Sequence, residues 1–222
     1  MNDRVVVVVG AGPGVSGSVA RLLAREGYAV GLVGVDAGVL QELTAELRQS
    51  GAVVESAVAD VTDAPAATEA IAGLAERLGR VDLLHFNPSA YRGKHALELT
   101  ADELLADIAV GVGALLTAVQ AARPYMGSGA RVTVTGSMAA DQPSPEAASL
   151  GVQKAGVRNL VQSLDATLAP DGIRATTVTV RGALSTTGPF THERVAEALI
   201  AASRQRESDW LVEVPYEGPV SA

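Results

Sequence analysis

Val5-Val6-Val7-Val8-Val9-Gly10-Ala11-Gly12-Pro13-Gly14-Val15-Ser16-Gly17 is a run of five valines that ends in a cluster of glycines. β-Branched residues with no polar face belong in a central strand that is covered on both sides. From Gly14 to Glu26 the apolar residues Val15, Val19, Leu22 and Leu23 recur at helical spacing, and Gly27 closes the segment. Glycines between a strand and a helix let the backbone turn tightly and approach a pyrophosphate. The free N–H groups at the helix start then hold that anion. Gly12-x-Gly14-x-x-Gly17 matches one dinucleotide spacing, and Gly10-x-x-x-Gly14 matches another with Ser16 where a third glycine is usual. Gly10, Gly12, Gly14 and Ser16 are therefore candidate cofactor-binding residues; the alternative is a merely tight strand–helix turn.

Outward from this turn, apolar runs and helical patterns alternate. Strands are predicted at Tyr28–Gly34, Val53–Val58, Val81–Asn87, Arg131–Thr135, Ile173–Val180 and Trp210–Val214. Helices are predicted at Val39–Ser50, Pro65–Leu78, Thr100 to about Tyr125, Ala147–Leu168 and Glu193–Ala202. Asp102 and Glu103 lie where carboxylates favour a helix start. Such alternation demands parallel strands, because each crossover returns the chain to the same end of the sheet. No second composition regime, repeat or low-complexity linker interrupts it. The expectation is one α/β domain over residues 1–222, a Rossmann-type doubly wound parallel sheet of about seven strands with helices on both faces.

Composition bounds the rest. The 222 residues are 48% hydrophobic and only 3% aromatic, so the core must be built from Ala, Val and Leu. Seventeen basic against 25 acidic residues give a formal charge of −8, which disfavours nucleic acid or an anionic membrane as partner. No apolar stretch is expected to reach the roughly 18 residues of a membrane span, and Val5–Val9 is too short for a signal-peptide core. With no cysteine and three scattered histidines there is no ligand cluster for a metal, and a reducing cytoplasm is the expected location.

The whole pattern resembles the short-chain dehydrogenase/reductase family over nearly the full chain. The resemblance rests on the Gly10–Gly17 turn, Asp60-Val61 after the third strand, Asn87 at the end of the fourth, and Ser137 with Lys154. It implies NAD or NADP as cofactor, with Asp60 and Val61 flanking the adenine and Asn87 supporting the cofactor. It also implies a Ser, a Tyr 13 residues later and a Lys four beyond that, which carry the chemistry. Here the spacing is intact, Ser137 to Lys154, but the middle position is Leu150. Leucine has no proton to give, and a lost general acid typically costs 10²–10⁴-fold in rate. The asparagine that the family places in the long fourth helix aligns with Gly111, Asn-Ala-Gly has become Asn87-Pro88-Ser89, and Pro-Gly has become Arg181-Gly182.

Several residues remain as candidates. Ser137 either donates to a substrate carbonyl or caps the turn that follows it; Lys154 either bonds ribose hydroxyls or is a solvated helix lysine. Tyr91 and His95, in the loop after the fourth strand, are possible substitute proton donors or simply exposed loop residues. His85 is expected inside the fourth strand as a hydrogen-bonded sheet residue, and His192 near a helix start without a partner. Asp36 is the acid nearest the place where the adenosine ribose is read, a residue or two late for NAD, and no arginine stands there for NADP. Small apolar faces at Ala109–Ala122 and Ala147–Val161 point either to burial within the chain or to self-association; the resemblance implies a homodimer or homotetramer. Three functions follow: an oxidoreductase acting on a small carbonyl or alcohol with a non-standard proton donor, a non-redox cyclase or isomerase, or a dinucleotide-binding regulatory protein without turnover.

Overall fold

In the computed structural model, which describes residues 4–219, all seven strands lie in a single parallel sheet of order β3-β2-β1-β4-β5-β6-β7. The strands are β1 (Val5–Val9), β2 (Ala29–Gly34), β3 (Val54–Val58), β4 (Leu83–Phe86), β5 (Arg131–Ser137), β6 (Arg174–Val180) and β7 (Glu213–Tyr216). The helices are α1 (Val15–Arg25), α2 (Ala37–Gln49), α3 (Ala64–Leu78), α4 (Ala101–Ile108), α5 (Ala114–Ala122), α6 (Ala148–Leu168) and α7 (His192–Ser203). The predicted doubly wound sheet is present, with every valine of β1 fully buried at its centre. Strand order reverses between β1 and β4, so the loops after these two strands part there and leave a crevice at the carboxyl edge.

Two cores cover the two faces. Leu74, Leu115, Val119, Val157 and Val161 of α3, α5 and α6 pack on one face, where Leu84, Phe86, Val132 and Val134 point. Val19, Leu23, Leu40, Leu43, Val195 and Leu199 of α1, α2 and α7 pack on the other, against Val6, Val8, Val30 and Leu32. Alternate residues of one strand thus feed opposite cores, which is why a valine run without a polar face was required.

Some expectations are corrected. The last strand runs over Glu213–Tyr216 rather than from Trp210, because the Trp210 ring instead packs against the Arg131 and Arg174 guanidiniums. Residues 101–125 are long and apolar enough, by length and composition, to cross a membrane (mean hydropathy 1.8), contrary to the reading of the sequence. Alanine, leucine and valine raise the value; Leu115, Ala118, Val119 and Ala122 bury on the sheet as a core helix does. Those small residues of α5 pack within the chain, leaving Leu116 and, on α6, Val152 exposed. The same helix is broken by a π turn at Ala109–Gly113, centred on Gly111.

Candidate functional site

The glycine turn sits at the switch point. Gly10 has φ of +79°, and a Cβ there would stand 2.8 Å from the Pro88 ring. A Cβ on Gly17 would stand 2.5 Å from the carbonyl oxygen of Gly12, so only glycine lets α1 close on the turn. Ser16 keeps the turn without the usual third glycine: its hydroxyl donates to the Gly10 carbonyl at 2.8 Å. Around Gly12 the space is open, Gly14 caps α1 with no side-chain bond, and the first turn of α1 has no acidic residue. Uncapped N–H groups facing open space are what a pyrophosphate requires.

Two cavities share Ser89 in their walls, and one of them reaches the glycine turn. The one beside the glycines, about 360 Å³, is walled by Gly10, Val35, Asp60, Val61 and Pro88. Asp60 is held ionised because the Thr62 backbone N–H, then its hydroxyl, bond to the carboxylate and lower its pKa. Asp36 does not line this cavity. It caps α2 by accepting from Val39 N at 3.0 Å, which accounts for its place two residues beyond the strand end. The other cavity, about 300 Å³, is walled by Asn87, Tyr91, Ser137, Leu150, Lys154 and Leu184, among others.

Lys154 is the unusual group. It is buried, its ammonium donates to the Thr135 carbonyl at 3.0 Å, and no carboxylate pairs with it among the described residues. Burial pulls its pKa from 10.5 down to about 8. The other lysine, Lys94, forms an ion pair with Glu103 at 2.6 Å. A buried cation without a counter-ion costs stability. Thr135 adds a second unsatisfied group: its hydroxyl lies in the cavity wall, buried, with no hydrogen-bond partner among the described residues. The residues present thus fit a dinucleotide at both ends, a glycine cradle at one and a buried ammonium without a carboxylate partner among the described residues at the other.

Ser137 caps the next turn, its oxygen accepting from Ala139 N at 3.2 Å, and it also lines the cavity. Leu150 fills the position between Ser137 and Lys154 on the cavity wall, with an apolar side chain. Tyr91 lies at the cavity and is 75% exposed, whereas His95 is outside the wall and faces Glu98 at 3.2 Å. His85 is a sheet residue as expected, bonded through Nδ1 to Thr133 at 3.2 Å, but its Nε2 is unpartnered and burial lowers its pKa to about 4.

Two contacts were not legible in the sequence. His192 opens α7 and is not isolated: its ring stands 3.6 Å from where a Gly14 Cβ would be, at the mouth of the glycine turn. Gln153, one residue before Lys154, is wholly buried and occupies the space that any side chain at Gly111 would need. The missing side chain at Gly111 was a signal that something else fills that space; which residue does so depends on how α6 crosses the π turn.

The profile of the short chain dehydrogenases matches residues 4–192. An A-factor type gamma-butyrolactone 1'-reductase of Streptomyces virginiae is 31% identical over 182 residues, 80% of this chain and 71% of that protein. An uncharacterized oxidoreductase of Staphylococcus saprophyticus is 28% identical over 181 residues, 80% of this chain and 77% of that one. Among solved structures, a short chain dehydrogenase of Burkholderia cenocepacia in complex with NADP superposes with a TM-score of 0.87 at 25% identity, covering 97% of this chain and 96% of that one.

Proposed function

The chain belongs to the short-chain dehydrogenase family, and on that premise we propose that it binds NAD or NADP along the crevice and exchanges hydride with a small carbonyl or alcohol. The observation that carries this reading is Lys154, a buried ammonium with no carboxylate partner among the described residues, in the wall of a cavity that also contains Ser137. Gly10, Gly12, Gly14 and Ser16 hold the pyrophosphate end through the uncapped start of α1, Asp60 and Val61 flank the adenine, and Asn87 supports the middle. Lys154 has N–H groups left for ribose hydroxyls beyond its one bond to Thr135. When bound, the dinucleotide supplies or accepts the hydride. Ser137 polarises the substrate carbonyl by donating its free O–H. Leu150 excludes water from one wall and moves no proton. The proton comes instead from Tyr91 or from water at the open mouth where Tyr91 stands.

The adenosine end offers Asp60 and no lysine or arginine in its wall. That favours the cofactor with a free 2′-hydroxyl, NAD, over the phosphorylated one. The exposed Leu116 and Val152 on α5 and α6 make these helices the face for a second copy of the chain.

A second reading is favoured by Leu150 itself: a dinucleotide-binding regulatory protein that performs no hydride transfer. Thermal unfolding with each of NAD⁺, NADH, NADP⁺ and NADPH tests the shared premise. A ligand at 100 times its Kd adds about 2.7 kcal/mol, several degrees in Tm. The expected result is a shift with the NAD pair; no shift with any of the four at millimolar concentration overturns both readings. Single-turnover oxidation of bound NADH by a panel of small ketones then separates them, since only the oxidoreductase loses the NADH signal.

A further inference from the structure

Resting on that reading, we propose that Gln153 is a positioning residue: its carboxamide takes the place of the side chain absent at Gly111 and sets Ser89, the residue shared by both halves of the crevice. Gln153 lies on α6 on the side that meets the π turn, fully buried. A Cβ added to Gly111 would collide with its Cγ and Cδ, so the two positions are complementary in volume. Every polar atom of the carboxamide is engaged. Nε2 donates to the Asp107 carbonyl at 2.5 Å, and Oε1 accepts from the Ser89 hydroxyl at 2.8 Å and from Ala90 N at 3.3 Å.

These bonds tie three segments together: the end of α4, the loop that leaves β4, and the turn of α6 that carries Lys154. The loop is held again farther out, where Arg92 grips the buried Asp107 carboxylate with two bonds of 2.9 and 3.0 Å and reaches Glu103 at 3.3 Å. Asp107 thus receives the amide of Gln153 on its carbonyl and the guanidinium on its carboxylate. Ser89 is left with its position dictated by Gln153, between the adenosine cavity and the reaction cavity. A residue that merely filled space would need none of this hydrogen bonding, and leucine or methionine would serve as well.

Four variants test the assignment: Gln153→Met, Gln153→Ser, Gly111→Asn and the double Gly111→Asn/Gln153→Ser. Two readouts are taken from each, the Tm of the ligand-free protein and the Kd of NAD⁺ by calorimetry. Gln153→Met keeps the volume and removes the bonds; it is expected to unfold within a few degrees of the parent and to bind NAD⁺ about tenfold more weakly. Gln153→Ser and Gly111→Asn each lower Tm, and the double variant regains most of the loss because the asparagine fits the vacated space. The positioning role is overturned if Gln153→Met binds NAD⁺ as the parent does, and the volume pairing if the double variant is no more stable than Gly111→Asn. Absence of NAD⁺ binding by the parent would instead remove the dinucleotide reading and the positioning role with it, while the Tm of the double variant still reports on the pairing.

Discussion

The two halves of the crevice are built differently. At the β1 end the site is backbone: glycines at positions 10, 12, 14 and 17, a helix start with free N–H groups, and one serine hydroxyl that closes the turn. At the β4–β5–β6 end the site is side chains, and here the spacing of the sequence sets Leu150 and Gly111 against the positions where the resemblance implies a tyrosine and an asparagine. The altered half is repacked, not emptied. Gln153 fills the space beside Gly111, and Leu150 lines the cavity wall beside Lys154. In the backbone half two positions admit no side chain, since a Cβ on Gly17 strikes the Gly12 carbonyl oxygen and one on Gly10 strikes the Pro88 ring. A side-chain site can exchange one set of groups for another of equal volume, and its chemistry changes with them.

The sharpest way to break this contrast is to return the proton donor. Leu150→Tyr puts a phenol one helical turn from Lys154, and hydride transfer from NADH to a small ketone is expected to accelerate by about 10²-fold or more in single-turnover stopped-flow measurements. An unchanged rate would mean that the repacked half no longer presents a substrate to the cofactor.

The next effect is on stability. Lys154 has a folded pKa of about 8 against 10.5 in the unfolded chain, so the unfolded state holds the proton more tightly. Stability therefore rises with pH between those values, and below about 8 the full penalty stands, on the order of 3 kcal/mol. Lys154→Met is expected to be more stable than the parent by up to about that amount at pH 7, with the difference shrinking above pH 8 and gone near 10.5. Urea unfolding across that range checks it. A variant that is less stable at pH 7 would show that the lysine serves the fold and not a ligand.

The smallest effect lies in the backbone half. His192 stands beside Gly14, and its imidazole can donate to a phosphate oxygen there. His192→Phe keeps the ring packing and removes the N–H, so ADP-ribose should bind severalfold more weakly, about 1 kcal/mol, with adenosine unaffected. Equal losses for both ligands in calorimetry would make His192 a packing residue only.

Much of this molecule could be read from the order of its residues. The valine run, the glycine turn and the alternation of apolar runs with helical spacing are local patterns, set by sterics and burial over a few residues, and they determine the doubly wound sheet and the place of its crevice. The distance in sequence from Ser137 to Lys154 was equally local, and so was the presence of an apolar Leu150 between them. What the tertiary structure alone decided are meetings between segments far apart in the chain. Whether Lys154 is solvated or buried depends on how α6 packs on β5, 19 residues earlier. That His95 turns to Glu98 while Tyr91 stays at the cavity depends on how the β4 loop is gripped by α4. Gln153 meets Gly111 because α6 crosses the π turn at that point. Local patterns fix which face of an element is buried; which side chains then share that buried space is a property of the packed whole, since it is settled by volumes contributed from several elements at once.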